Sequence, residues 1–443
     1  MEKELTLRLE RMSYGADAIA HDEDGKTVFV SGGVAGDLVR AQITQCAQSF
    51  SRARVMETLE PSVLRVTPPC PYANACGGCP WASMSHEAQL EAKRANVLDG
   101  LVRIGHWGRD AAEALVRECQ APSDPWGYRN KVELGFRLEG RRAIVGMHDA
   151  SGEGLVKVDS CPLLDRRYAK AAKSVSGALS YLAGSRGLQI DRVGIRASAR
   201  SRELEVALWT EPGAFPRAQA AKVLQEATKA TSVVRVLTKG PQKARRVTGV
   251  ERLSGHGSWS ELVGEERMTV SAPSFFQVNT KGAERLVDLV LEGLDPQEGD
   301  CAMDLYCGAG TFTLPLARRC SWVDAVESYG PAVRDLRRNL ELSGIDNVDA
   351  QGGDAGREFP DSDADVIVVD PPRAGLGEEV VRLLSEQPAR AIAYVSCDPA
   401  TLARDLARFA DEGTFMPERI TPVDLFPQTF HVETVVLLSK VHN

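Results

Sequence analysis

Ala391-Ile392-Ala393-Tyr394-Val395-Ser396-Cys397-Asp398-Pro399-Ala400-Thr401-Leu402-Ala403-Arg404-Asp405-Leu406 reads as a buried strand that runs into a helix, with a cysteine at the junction. Ala391 to Val395 is a short, mostly apolar run, as a strand covered on both faces requires. Asp398 is a good N-cap and Pro399 suits the first helical position. Leu402, Leu406 and Phe409 then repeat at helical spacing. Cys397 therefore falls just before a helix N-terminus, where unpaired N–H groups and the helix dipole favour a thiolate. We read Cys397 as the reactive group of the chain.

The same alternation of strand and helix extends over residues 266–443, the pattern of a doubly wound, Rossmann-like α/β sheet. Strands are expected at 301–307, 322–327, 364–370, 391–397, 421–426 and 434–441. Helices are expected at 311–319, 331–343, 378–386 and 399–412. No helix separates the last two strands. They suit an antiparallel pair closing the sheet, the arrangement typical of class I methyltransferases.

Within this region the polar residues at strand ends carry the chemistry. Asp304-Leu305-Tyr306-Cys307-Gly308-Ala309-Gly310-Thr311 ends the first strand and opens a helix. Its two glycines allow a ligand to approach the backbone closely. Thr313 replaces the third glycine of the dinucleotide fingerprint, which disfavours a pyrophosphate. Glu327 ends the second strand about 20 residues on, where an acid binds ribose hydroxyls. A glycine loop and a ribose acid without a phosphate cradle point to S-adenosylmethionine (SAM). Asp370-Pro371-Pro372-Arg373 ends the strand before Cys397, at the edge where open α/β sheets bind ligands. The prolines fix the turn and aim Asp370 inward. Arg373 stands where amino-group methyltransferases often have an aromatic residue, so exocyclic-amine methylation is disfavoured. Gln277, in Ser274-Phe275-Phe276-Gln277-Val278-Asn279, precedes a helix and is placed to cross to the cofactor. Glu433, in His431-Val432-Glu433, precedes the final strand.

Upstream, residues 1–60 show short alternating runs punctuated by Gly15, Asp22-Glu23-Asp24-Gly25, Gly32-Gly33 and Gly36-Asp37. Five short strands of this kind suit an OB-like barrel, a common nucleic-acid platform. Residues 61–265 read as an α+β domain that opens on Cys70-Pro71-Tyr72-Ala73-Asn74-Ala75-Cys76-Gly77-Gly78-Cys79. Gly77 and Gly78 let this loop curl so that its thiolates face one centre. Cys161 is the best candidate for a fourth ligand and Cys119 its rival. Four thiolates suit zinc or an iron–sulfur cluster, and one tight triad with one distant cysteine leans to a [4Fe-4S] cluster. Trp126-Gly127-Tyr128-Arg129-Asn130-Lys131 mixes the aromatic and basic residues that stack on bases and contact phosphates.

The charge distribution agrees. Of the 443 residues, 1–60 carry 7 Lys/Arg and 10 Asp/Glu, 61–265 carry 30 and 21, and 266–443 carry 16 and 30, so the net charges are −3, +9 and −14. A basic middle within a chain of net charge −8 suggests a polyanion held there. The longest apolar runs fall far short of the roughly 18 residues a spanning helix needs, so no membrane is expected. Met1-Glu2-Lys3-Glu4-Leu5 is no signal peptide. A cytoplasmic location and reduced cysteines follow, and the 10 cysteines point to metal or chemistry rather than disulfides.

Assembled, these residues closely resemble the RNA uridine C5-methyltransferases that carry an N-terminal TRAM domain and an iron–sulfur cluster. The resemblance spans nearly the whole chain. It rests on the Gly15 to Phe29 region, the four cysteines, Phe276-Gln277, Asp304 to Gly310, Asp370 to Gly375, Ser396-Cys397-Asp398-Pro399-Ala400-Thr401-Leu402 and His431-Val432-Glu433. It implies a TRAM barrel over 1–60, a central iron–sulfur domain over 61–265 and a SAM-dependent methyltransferase domain over 266–443. It implies that Cys70, Cys76, Cys79 and Cys161 hold a [4Fe-4S] cluster and that Gln277, Tyr306, Glu327 and Asp370 bind SAM. It makes Cys397 the nucleophile, Glu433 the base, and RNA the partner of a monomer. TRAM and cluster together lean to 23S ribosomal RNA over transfer RNA. Asp398 and Thr311 depart from the asparagines that some members carry. Three other readings compete. A cytosine-C5 methyltransferase usually has a second cysteine after the proline, where this chain has Arg373. A non-catalytic RNA-binding protein would not need the cofactor residues. An iron–sulfur radical enzyme would have the C-x3-C-x2-C spacing, which the triad lacks.

Overall fold

A computed structural model describes residues 3–185, 188–241 and 245–441. The alternation of the N-terminal region folds into β1 (Glu4–Arg8), β2 (Arg11–Met12), β3 (Ala18–His21), β4 (Thr27–Ser31), β5 (Leu38–Cys46) and β6 (Phe50–Glu60). These pair in the order β1-β5-β6-β4-β3-β2, so the two edge strands are neighbours in sequence and the sheet curls on itself. This is one strand more than the sequence pattern suggests; β2, with two residues, is too short to alternate. Leu7, Val28, Val30, Val39 and Ala41 fill the inside, and Trp81 and Met84 pack into the same core.

The linker leads to α1 (His86–Arg103), capped by Ser85, whose hydroxyl accepts from the Ala88 N–H. Short α2 (Arg109–Leu115) follows. The basic region then builds a second sheet from β7 (Lys131–Glu139), β8 (Arg142–His148), β9 (Leu155–Lys157), β10 (Arg192–Ser198), β11 (Glu203–Thr210), β12 (Ser232–Lys239) and β13 (Arg246–Gly255). Its order is β13-β12-β11-β10-β7-β8-β9. Helices α3 (Ala171–Tyr181) and α4 (Arg217–Thr228) cover it. A hairpin, β14 (Trp259–Val263) with β15 (Glu266–Val270), and α5 (Thr280–Leu294) lead to the third sheet.

That sheet contains β16 (Cys301–Leu305), β17 (Trp322–Glu327), β18 (Val348–Gly352), β19 (Val366–Val369), β20 (Ala391–Ser396), β21 (Phe415–Val423) and β22 (Glu433–Lys440). Helices α6 (Thr313–Ala317), α7 (Gly330–Ser343), α8 (Glu378–Glu386) and α9 (Pro399–Glu412) alternate with the strands. The order is β18-β17-β16-β19-β20-β22-β21, with β22 antiparallel to both neighbours. Two details differ from the sequence reading. β18 is an added strand: Val-Asp-Ala-Gln-Gly is short and polar because it lies at the sheet edge. β21 begins at Phe415, earlier than its apolar run, because Pro417 interrupts the pattern beside a register shift.

The parts are stitched together by backbone. Arg117 and Gln120 donate to the carbonyls of Ile420 and Pro422 at 2.8 and 2.9 Å, extending the third sheet beyond β21. The Asn130 N–H donates to Val278 O at 2.8 Å. Helix α9 is fixed by the buried Asp405 carboxylate, which accepts from Tyr394 Oη and the Leu376 N–H, both at 2.8 Å. Bonds to a charged acceptor contribute about 1.5–3 kcal/mol each. Among the described residues no helix is long and apolar enough to cross a membrane.

Candidate active site

The strand ends converge at the carboxyl edge of the third sheet. β19 and β20 pair in parallel with Val369 beside Tyr394, which sets Asp370 and Cys397 at the same rim. β20 and β22 pair antiparallel with Ser396 opposite Thr434. One step further along this register puts Cys397 opposite Glu433. Asp398 caps α9, accepting from the Ala400 and Thr401 N–H groups at 2.9 and 3.1 Å. Pro399 follows at the first helical position.

The glycine loop is strained open. Tyr306 has φ of 65°, Gly308 of 58° and Gly310 of 102°. A side chain at Gly310 would meet Leu314 and Leu336 at under 3 Å, whereas one at Gly308 would meet nothing within 4 Å. Tyr306 holds a left-handed conformation that costs a non-glycine residue roughly 1–3 kcal/mol, the kind of strain that collects at ligand sites. The Gly308 N–H donates to Glu327 Oε2 at 3.0 Å, which ties the loop to the end of β17. Phe276 packs with Cys307 and Ala309 of this loop, so its neighbour Gln277 reaches the same edge. Asn130 Nδ2 holds the Gln277 carbonyl at 2.9 Å.

Three buried oxygens here have no partner: Gln277 Oε1, Asp304 Oδ1 and Glu433 Oε2. Buried polar atoms without partners are rare in native proteins and fit a missing ligand. The carboxylates also crowd. Burial and then the Glu327 charge push Asp370 up to about 7. Burial, with Asp370 and Glu327 adding to it, pushes Asp304 up to about 8. Burial followed by Asp370 raises Glu433 well above the usual carboxylate range, with Arg373 opposing. Acids crowded in this way ionise more readily beside a positive charge, which suits a cationic ligand such as a sulfonium.

The thiol departs from the sequence expectation. Burial, then Glu433 and Asp370, push Cys397 up to about 12, and Arg373 pulls it down only in part. The helix end does not offset this, because the Asp398 carboxylate takes its N–H groups, and Asp398 adds a further, smaller negative contribution beside the thiol.

The four predicted ligand cysteines come together elsewhere. Cys70, Cys76, Cys79 and Cys161 line one pocket with Tyr72, Trp126 and Arg129. All four are free of disulfides. Burial, then the facing Cys161, raises Cys79 to about 12, and Arg129 opposes that rise. Gly77 is needed because the Asp149 carbonyl would lie 2.6 Å from any Cβ there. Among the described residues no group of three or more His, Cys, Asp or Glu side chains is placed to hold a metal ion, so the expected metal centre is not shown. Cys119, the rival ligand, lies instead in the hydrophobic core with Val97, Leu101 and Val116.

Sequence reasoning passed over three residues at the rim. Asp304 is buried within an apolar strand, a signal that was present. Asp354 follows the overlooked β18 and bears on the Tyr306 hydroxyl. Tyr14, from the N-terminal sheet, donates to the Cys397 carbonyl at 3.0 Å, a contact no local pattern announces. Because a raised thiol pKa leaves Cys397 neutral at ordinary pH, its alkylation by iodoacetamide should be slow at pH 8. The rate should climb steadily toward about 12. Exposed Cys46, lowered by hydrogen bonds from Ser51 and Lys26, should react first. Peptide mass spectrometry across a pH series reads both, and fast labelling of Cys397 at pH 7 would contradict the described environment.

Comparisons with known proteins agree with this geometry. The tRNA (Uracil-5-)-methyltransferase family matches residues 263–352 and 354–441, and the TRAM domain family matches residues 3–56. An uncharacterised RNA methyltransferase of Thermosynechococcus vestitus is 33% identical over 98% of this chain and 98% of its own length. One from Chlorobaculum tepidum is 35% identical over 94% and 92%. The crystal structure of Pyrococcus abyssi tRNA (uracil-54, C5)-methyltransferase in complex with S-adenosyl-L-homocysteine superposes with a TM-score of 0.76 at 22% identity, covering 98% of this chain and 100% of that one. At that identity the likeness is one of fold. The chain belongs to the RNA (uracil-5-)methyltransferase family and carries an N-terminal TRAM domain.

Proposed function

We propose that the protein methylates C5 of a uridine in RNA, 23S ribosomal RNA in preference to transfer RNA, through a covalent Cys397 adduct. The observation that carries this reading is the placement of Cys397 across the β20–β22 ladder from Glu433, with Asp370 on the adjoining strand end. SAM, when bound, supplies an electrophilic methyl group on a cationic sulfur. Gln277, Tyr306, Glu327 and Asp370 are the residues we assign to hold it. The unpaired Gln277 Oε1 and the open glycine loop suit that role.

C5 of uracil is a weak nucleophile. Addition of the Cys397 sulfur to C6 forms an S–C6 bond and moves the C5–C6 electron pair into an enolate, so that C5 becomes nucleophilic. After C5 has gained the methyl group it still holds its proton. Glu433 takes that proton, the electron pair re-forms the C5–C6 double bond, and the Cys397 sulfur leaves. Burial makes Glu433 a stronger proton acceptor than a solvated carboxylate once it is ionised. A positive charge in the rim would offset the carboxylates that, after burial, hold the Cys397 thiol protonated, and so favour the thiolate, its proton passing to solvent. The base must leave its stack for C6 to be reached.

Cys70, Cys76, Cys79 and Cys161 are assigned to a [4Fe-4S] cluster. Four thiols lining one pocket suit a multi-iron cluster, and Arg129 would offset its negative charge. Its role in this reading is to hold the central region, residues 61–265, in shape between the barrel and the methyltransferase domain. Iron and sulfide analysis of anaerobically purified protein should find about four of each per chain. Stoichiometric zinc without sulfide would contradict the cluster.

The function is tested with 23S rRNA fragments and tRNA transcripts carrying tritium at uridine C5. The wild-type protein should release tritium from the rRNA in a SAM-dependent reaction, and Cys397→Ser should release none. Glu433→Gln should slow release by about 10²–10⁴-fold, the usual contribution of a general base, while an RNA–protein adduct accumulates. Methylation without tritium release would move the reaction to another atom. Release from tRNA alone would overturn the rRNA assignment, and full turnover by Glu433→Gln would remove it as the base.

A further inference from the structure

The N-terminal sheet reaches the catalytic rim through Tyr14. The turn Ser13-Tyr14-Gly15 joins β2 to β3 and is clamped from several sides. Ser13 Oγ donates to Asp17 O at 2.6 Å. Asn96 Nδ2, on α1, donates to Ser13 O at 3.3 Å, and buried Trp81 Nε1 donates to Gly15 O at 3.1 Å. The Trp81 backbone N–H in turn donates to Gln428 O at 3.0 Å, in the segment leading to β22. From this turn the Tyr14 hydroxyl donates to the Cys397 carbonyl at 3.0 Å. The Tyr14 ring meets Phe430 edge-on at 5.6 Å, and Phe430 lies against the His431 ring at 4.2 Å. Tyr14 therefore touches both the junction that bears the nucleophile and the segment that delivers Glu433.

We propose that Tyr14 is a positioning residue for Cys397, through which docking of the N-terminal domain sets the geometry of methyl transfer. The proposal rests on the covalent mechanism above. The carbonyl and the side chain of Cys397 share one Cα, so a bond that fixes the carbonyl plane also sets the Cα–Cβ direction from which the thiol projects. Attack on C6 needs that direction held closely, because a small misplacement of a reacting atom lowers the rate steeply. Burial, then the nearby Asp398 carboxylate, hold the hydroxyl protonated, so it stays a donor throughout the working pH range. The ring contact with Phe430 fixes the second loop at the same time, which makes Tyr14 the shared support of nucleophile and base.

Tyr14→Phe removes the hydroxyl and keeps the ring. Its single-turnover tritium release should fall about tenfold, the rate equivalent of ~1.4 kcal/mol. KM for RNA and the melting temperature should stay at their wild-type values. Alkylation of Cys397 by iodoacetamide should slow in parallel, a readout that needs neither RNA nor SAM. Unchanged release together with unchanged alkylation would overturn the proposal. So would a loss that follows a raised KM or a lowered melting temperature, since either assigns Tyr14 to RNA binding or to folding. If the wild-type protein released no tritium, the functional reading would fall, and the alkylation rates would still decide for or against Tyr14.

Discussion

The antiparallel pairing of β20 with β22 is the constraint on which the site depends. Its register places Ser396 opposite Thr434, and therefore the cysteine after β20 opposite the glutamate that begins β22. A slip of one residue would turn every side chain of β22 to the other face, moving Glu433 away from the rim and exchanging the residues that pack into the two cores on either side of the sheet. Val435, Val436 and Leu438 are buried, so the same packing that stabilises the sheet holds the register. Position in this site is thus a by-product of core formation. Asp370 gains its place in the same way, from the parallel register of β19 with β20.

Charge is the second organising feature. Asp304, Glu327, Asp370, Asp398 and Glu433 bear on one rim, with Arg373 as the cation that opposes them at both Cys397 and Glu433. The consequence, together with burial, is a thiol that stays protonated. In the cysteine pocket Arg129 faces thiols rather than carboxylates.

Much of this was legible in the sequence where short-range physics decides the structure. The bounds of α8 and α9 follow from their amphipathic repeats, and those of α9 from its caps, Asp398 and Pro399 at one end and Gly413 in a left-handed conformation at the other. Strand β20 is apolar throughout because both faces are covered. What was hidden belongs to edges and to distant contacts. β18 is a polar edge strand, and β21 carries a proline within its pairing. The expectation of a thiolate considered the helix end alone, without the burial of the thiol, the acids gathered from other strands or the capping carboxylate. The contact from Tyr14 to Cys397 spans 383 residues, and no local pattern encodes it.

The account centres on a covalent bond between Cys397 and the target uridine. Incubation with SAM and an RNA in which 5-fluorouridine replaces the target tests it most directly, because fluorine at C5 leaves no proton for Glu433 to remove. The account predicts a denaturation-resistant protein–RNA complex whose digestion yields the Cys397 peptide joined to a methylated fluoropyrimidine. Absence of the complex, a link to a different residue, or its persistence in Cys397→Ser would contradict it.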